Sequence, residues 1–194
     1  MRIAAKLLES PEGVRRWVAY ELIHHHRPAL AQINAQSLEQ LGRGIGSWDQ
    51  TDVFGIYLAG PVWHARQIAD GVIHKWARSS DRWWRRAALV ATVPLNSKSH
   101  GGRGDIRRTL QVCRMLESDR DPMVVKALSW ALRVLAKAEP QAVQRYVNER
   151  GPALAALVRR EVRNKLATGL KNPRRSRRPK VKPAATSKRL RGRQ

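Results

Sequence analysis

Residues 122–138 limit what this chain can fold into more than any other stretch. Asp121-Pro122 is a cap followed by a proline at the first helical position, and neither glycine nor proline recurs before Pro140. At about 100° per residue, Val124, Val125, Leu128, Ala131, Leu132 and Leu135 fall within an arc of about 120°. Such a stripe must be buried against another layer. No strand-like alternation occurs elsewhere in the sequence, so the partners must be helices. Helical segments of about 10 to 17 residues follow one another through short breaks. The chain is therefore expected to be all-α and built of antiparallel pairs, as a bundle or as an α-solenoid. Units of about 35 to 40 residues fit HEAT-like pairs.

Taken in order, Ile3 to Leu8 form a short helical piece, and Pro11 opens a helix with Val14, Trp17, Val18, Leu22 and Ile23 on its apolar side. His24, His25 and His26 point in different directions on a helix, so they make no local chelate and read as a solvated helix end. Pro28 restarts a helix through Ile33, Leu38 and Leu41, which Gly42, Gly44 and Gly46 close. Ser47 and Gln50 form an expected capping box for a helix that runs to about Ala59 and breaks at Gly60-Pro61. Residues 61–78 make the next helix, and Ser79, Ser80 and Asp81 offer caps for one that carries Trp83 to Val90 and stops at Pro94. Residues 96–104 form a loop; helices follow over 105–115, 122–138, 141–148 and 152–167. Residues 1–170 form the helical domain, and residues 171–194 are expected to be a disordered basic tail.

The formal net charge is +23. The tail holds 11 Lys or Arg and no acid, yet the remainder still has 27 basic residues against 15 acidic ones. A body this basic is suited to a polyanion, nucleic acid first and anionic membrane second. No apolar run approaches a membrane span, and the N-terminus lacks the apolar core of a secretion signal. The single cysteine, Cys113, gives neither a disulfide framework nor a thiolate metal site. These features fit a cytoplasmic protein associated with the nucleoid.

Two helix faces depart from ordinary core patterning. Trp48 and Asp52 are four apart, so a large ring and a carboxylate lie one turn above the other, with Gly55 and Ala59 on the same side. Asp49 lies in the first turn, where a helix N-terminus favours an anion. On 122–138, Trp130 lies at about 240° from Val124, among Lys126, Arg133 and Lys137. A ring among cations suits nucleic acid, with charge on phosphate and the ring on sugar or base. It equally suits packing against another helix layer. Trp83 shares a side with Ala87 and Val90; Arg86 borders that side and Arg85 points further out. Either arginine can grip a phosphate or simply lie on the surface.

These residues resemble the HEAT-like-repeat DNA alkylation repair family, the AlkD-like DNA glycosylases. The motifs that carry the likeness are Ser47-Trp48-Asp49-Gln50-Thr51-Asp52, Trp83-Trp84-Arg85-Arg86-Ala87-Ala88 and Val125-Lys126-Ala127-Leu128-Ser129-Trp130-Ala131-Leu132-Arg133. Their order and spacing agree with the family over residues 7–166. The resemblance implies a concave basic α-solenoid that cradles duplex DNA and excises cationic N3- and N7-alkylated purines. It implies that Asp52 is the catalytic carboxylate and that Trp48 and Trp130 flank the deoxyribose. Arg86, with Arg85 as the lesser candidate, would touch the DNA backbone near the lesion, and Lys126, Arg133 and Lys137 would contact DNA beside them. It implies a monofunctional monomer with no metal and no cofactor.

Family members usually begin with further helices before the one at Pro11, and this chain nearly lacks them. Two other readings stay open on sequence grounds: a non-catalytic helical-repeat nucleic-acid binder, and a repeat scaffold for protein partners. An acid in a DNA-facing groove repels phosphate, so keeping Trp48, Asp52 and Trp130 together favours the glycosylase.

Overall fold

A computed structural model describes residues 13–173, and the expectations for Ile3–Leu8, Pro11 and the tail beyond residue 173 lie outside them. Every regular element among the described residues is helical. In chain order the helices are α1 (Gly13–His25), α2 (Arg27–Ala31), α3 (Ala35–Gly42), α4 (Trp48–Phe54), α5 (Gly60–His64), α6 (Asp70–Ala77) and α7 (Arg82–Val90). They continue with α8 (Thr92–Asn96), α9 (Ile106–Leu116), α10 (Pro122–Ala138), α11 (Pro140–Arg150) and α12 (Ala156–Thr168). A π-helical turn, Gly55–Ala59, joins α4 to α5, and a 3₁₀ turn, Lys98–His100, follows α8.

The helices form two rows. In one, α1, α4, α7, α10 and α12 pack each on the next. In the other, α6 packs on α9, Lys75 and Trp76 of α6 bond Glu39 of α3, and Tyr146 and Arg150 of α11 bond Glu117 at the end of α9. Cross-row packing pairs α6 with α7, α9 with α10, and α11 with α12. The polar bonds that tie equivalent helices are evenly spaced in sequence. Glu39–Lys75 spans 36 residues, Asp52–Arg86 34, Asp70–Arg107 37, Glu117–Arg150 33 and Ser129–Glu161 32. These intervals, 32 to 37 residues, run somewhat shorter than the 35 to 40 expected from the sequence.

The predicted stripe of α10 is correct: Val124, Val125, Leu128, Ala131, Leu132 and Leu135 are all buried. The phase of α1 is not. Ala19, Tyr20 and Ile23 are buried, whereas Trp17, Val18 and Leu22 are exposed. Tyr20 is drawn inward because its hydroxyl donates to Leu41 O at 2.6 Å and its ring packs on Phe54.

Two prolines were read as helix breaks, and neither breaks its helix. The α4 helix continues through the π turn into α5, where Gly60 N–H bonds Gly55 O five residues back. Pro61 cannot donate to Tyr57 O. His24 Nδ1 does so instead at 2.9 Å, so the first of the three histidines closes the gap left by a proline rather than ending a helix in solvent. The true break comes at residues 65–69, where Arg66 takes a left-handed φ of 58°. Pro94 lies inside α8, with Gly60 packed against its ring. The capping box also differs. Ser47 is the N-cap of α4 but makes no side-chain cap bond; Gln50 Oε1 accepts from Gly46 N, and Thr51 Oγ1 donates to Ser47 O.

At Gly55, the first residue of the π turn that extends α4, the chain meets α7 closely. A Cβ there would lie 2.6 Å from Val90 Cγ1 and 3.3 Å from the Val90 backbone carbon. Gly55→Ala is therefore expected to push α4 from α7 and destabilise the fold by about 1–3 kcal/mol. A urea midpoint equal to that of the unmodified chain would contradict this packing.

Candidate functional site

Asp52 stands on the fifth residue of α4, half-buried between α4 and α7. Arg86 crosses from α7 and pairs with it in a two-pronged arrangement: Nε donates to Oδ1 and a terminal guanidinium nitrogen to Oδ2, each at 2.8 Å. The other terminal nitrogen donates to Met123 O at 2.6 Å, in the first turn of α10. One guanidinium thus joins three successive helices of the same row. Its side chain is 6% exposed and that of Asp52 16%. The arginine is sealed in, while the carboxylate keeps an edge to solvent. The outward lone pairs of its oxygens are the ones still open to a ligand or a water.

Burial raises the Asp52 carboxyl above its ordinary value. The Arg86 hydrogen bonds and charge pull it back, and neighbouring Asp49 raises it further.

Trp48 opens α4 and is 57% exposed, one turn before Asp52. An exposed indole of this size at a helix start has no packing reason to be there. Trp130 is half-buried, resting on the edge of the core. It lies seven residues from Met123 on α10, so it shares a side with the turn whose carbonyl Arg86 holds. Lys126 and Lys137, on that same side, are exposed.

The remaining cations expected to meet a polyanion are tied to the protein itself. Arg85 Nε donates to Asp119 Oδ2 at 2.7 Å, and its terminal nitrogen reaches Ser79 O and Ser80 O. It pins the loop before α7 to the loop before α10. Arg133 Nε donates to Ser129 Oγ at 3.2 Å and lies 3.7 Å from buried Glu161. Arg86 itself faces Asp52 and Met123, not solvent.

Sequence reasoning singled out Asp52 and Arg86 separately and missed that they bond each other. The signal was present: they are 34 residues apart, within the 32–37 span of the other bonds between successive helices. It also missed Arg82, whose guanidinium lies 4.8 Å over the Trp83 ring and 3.6 Å from Asp121. Among the described residues, no cluster of three or more His, Cys, Asp or Glu is placed to hold a metal ion, and no helix is long and apolar enough to cross a membrane.

A family model described as DNA alkylation repair enzyme matches residues 1–166. No curated protein matches the chain.

The pairing makes a double-mutant prediction. Arg86→Met leaves a half-buried carboxylate without its donor, and is expected to cost about 3–5 kcal/mol at neutral pH. Without the guanidinium the Asp52 carboxyl rises further. A group with a raised folded pKa favours the folded state at low pH and loses that advantage as pH rises, so the variant should regain stability on acidification. Adding Asp52→Asn should restore part of the loss at neutral pH. Additive losses in the double variant would show that the two side chains do not depend on each other.

Proposed function

The chain belongs to the DNA alkylation repair enzyme family, and from this premise we propose that it is a monofunctional DNA glycosylase that hydrolyses the N-glycosidic bond of cationic N3- and N7-alkylated purines in duplex DNA. The observation that carries the reading is Asp52. It is an acid in a strongly basic chain, oriented by a buried arginine, with one edge open beside an exposed indole. In this reading the two helix rows are consecutive HEAT-like pairs of an α-solenoid, and the duplex lies along the α4–α7–α10 row.

The chemistry needs little more. An N-alkylated purine already carries positive charge, so it departs without a general acid. The glycosidic electron pair moves to the purine ring, which leaves neutral. Positive charge develops on the deoxyribose, where an ionised Asp52 stabilises it and orients the attacking water. Water oxygen bonds the anomeric carbon, and its proton passes to Asp52 or solvent. The faces of Trp48 and Trp130 stabilise the same cation. Arg86 acts as a positioning residue that fixes the carboxylate in one rotamer and keeps it charged. Lys126 and Lys137 hold flanking phosphates; Arg85 and Arg133 act through the loops and helices they brace.

One observation favours a second reading. Both Asp52 oxygens already accept from Arg86, as they would in a purely structural pair within a non-catalytic DNA-binding protein.

Release of free base from methylated duplex DNA separates the two. Asp52→Asn should lower release by about 10²–10³-fold with DNA affinity kept. Trp48→Ala and Trp130→Ala should each lower it by about 2- to 30-fold. Release should fall on acidification as Asp52 protonates, at a pH above its ordinary value of 3.8, and Arg86→Gln should move that limb higher. A folded, DNA-binding wild type that releases no base would establish the binding protein instead.

A further inference from the structure

Three side chains follow one another round the start of α4. At about 100° per residue, Asp52 lies about 40° from Trp48 and Asp49 about 60° beyond it, so Asp52 stands between an indole and a second carboxylate. Asp49 and Asp52 are three residues apart within one helix, which sets their Cβ atoms about 5–6 Å from each other. The two carboxylates sense one another: burial raises the Asp52 carboxyl, and the charge of Asp49 adds to the rise.

Their surroundings differ. Asp52 is half-buried, and each of its oxygens accepts an Arg86 N–H at 2.8 Å. Those bonds and the guanidinium charge oppose its protonation. A proton placed on Asp52 would weaken its hold on the sealed guanidinium, so this acid is kept as a fixed negative charge. Asp49 is exposed, and among the described residues it accepts no hydrogen bond and joins no ion pair.

Other acids at helix starts are occupied. Asp81, Asp105 and Asp121 each accept a backbone N–H in the first turn of α7, α9 and α10. Asp49 lies two residues past the N-cap Ser47 and caps nothing. Its oxygens keep their lone pairs open to water, beside the exposed face of Trp48. The water that attacks the anomeric carbon must lose a proton, and a carboxylate with open lone pairs next to the charged one is the group suited to take it.

We propose that Asp49 is the general base of the reaction, accepting the proton of the attacking water while Asp52 stabilises the positive deoxyribose. The inference rests on the function proposed above and deepens it. The water oxygen bonds the anomeric carbon, the glycosidic electron pair leaves with the purine, and the water proton moves to an Asp49 oxygen and then to solvent. Two carboxylates thus divide the work of glycoside hydrolysis, one fixed as charge and one free to exchange a proton.

The test uses the full chain, single-turnover release of base at saturating methylated duplex, and binding of undamaged duplex measured beside it. Asp49→Asn is expected to lower release by about 10²-fold. It should bind undamaged duplex at least as tightly as wild type, because a charge that repels phosphate is gone. Formate, a small carboxylate base, should raise release by Asp49→Asn about tenfold over the same concentration of chloride and leave wild type unchanged. A loss that formate does not reverse overturns the base and assigns Asp49 to the electrostatics of the helix N-terminus. Release by Asp49→Asn within about twofold of wild type, with Asp52→Asn still impaired, overturns it while leaving the glycosylase reading intact. Weaker duplex binding by Asp49→Asn overturns its place on the DNA side. Wild type that releases no base overturns both readings.

Discussion

The buried guanidinium of Arg86 fixes the relation between three helices. Its three bonds reach the Asp52 carboxylate and the Met123 carbonyl at 2.6–2.8 Å. The carboxylate would be costly to leave unpaired in a half-buried setting. Their registers are therefore locked together: α4 cannot slide along α7 without breaking a two-pronged pair, and α10 cannot tilt away without losing the Arg86 bond to Met123 O. The close seat of Gly55 on Val90 is the apolar half of the same constraint, because it brings α4 near enough for Arg86 to span the gap. Positions such as Trp48 and Trp130 inherit their placement from this lock.

The same device recurs along the molecule in altered form. Arg108 is buried, donates to Asp105 Oδ2 at 2.5 Å and to Trp63 O at 2.7 Å, and stacks 5.0 Å from the Trp63 ring. Glu117 is held below its ordinary value by Arg150 first, then by Tyr146, against burial. Buried Glu161 collects Ser129 and Arg133. In each case a charged group seals the seam between helices of neighbouring units. What distinguishes the Asp52 rung is its acid: it alone of these rungs pairs an interior arginine with a carboxylate one helical turn from an indole more than half exposed.

The local code of the chain was legible where one face dominated. The α10 stripe followed directly from its period, the caps at Asp81 and Asp121 formed as their residue types require, and the Trp48–Asp52 face was visible from a four-residue spacing. It misled where a residue's local tendency was overruled by a partner far away in sequence. Gly60-Pro61 reads as a helix break in the sequence, and a proline there cannot donate to Tyr57 O. His24, 33 residues from Tyr57, supplies the missing donor. The phase of α1 failed likewise, since the Tyr20 hydroxyl and ring find buried partners that no periodicity reveals.

The sequence by itself determined the helical class and the excess of positive charge. Those properties depend on composition and on neighbours within one or two turns, and these are fixed before the chain folds. Tertiary structure alone decided which charges remain free. Arg85, Arg86 and Arg133 look alike in sequence to Arg43, Arg78, Lys126 and Lys137, all cations near aromatic rings. The first three are neutralised by acids and carbonyls brought from other units, and the others face solvent. A guanidinium's availability depends on what lies within about 3 Å of it, and that distance is set only when helices 30 and more residues apart come to rest side by side.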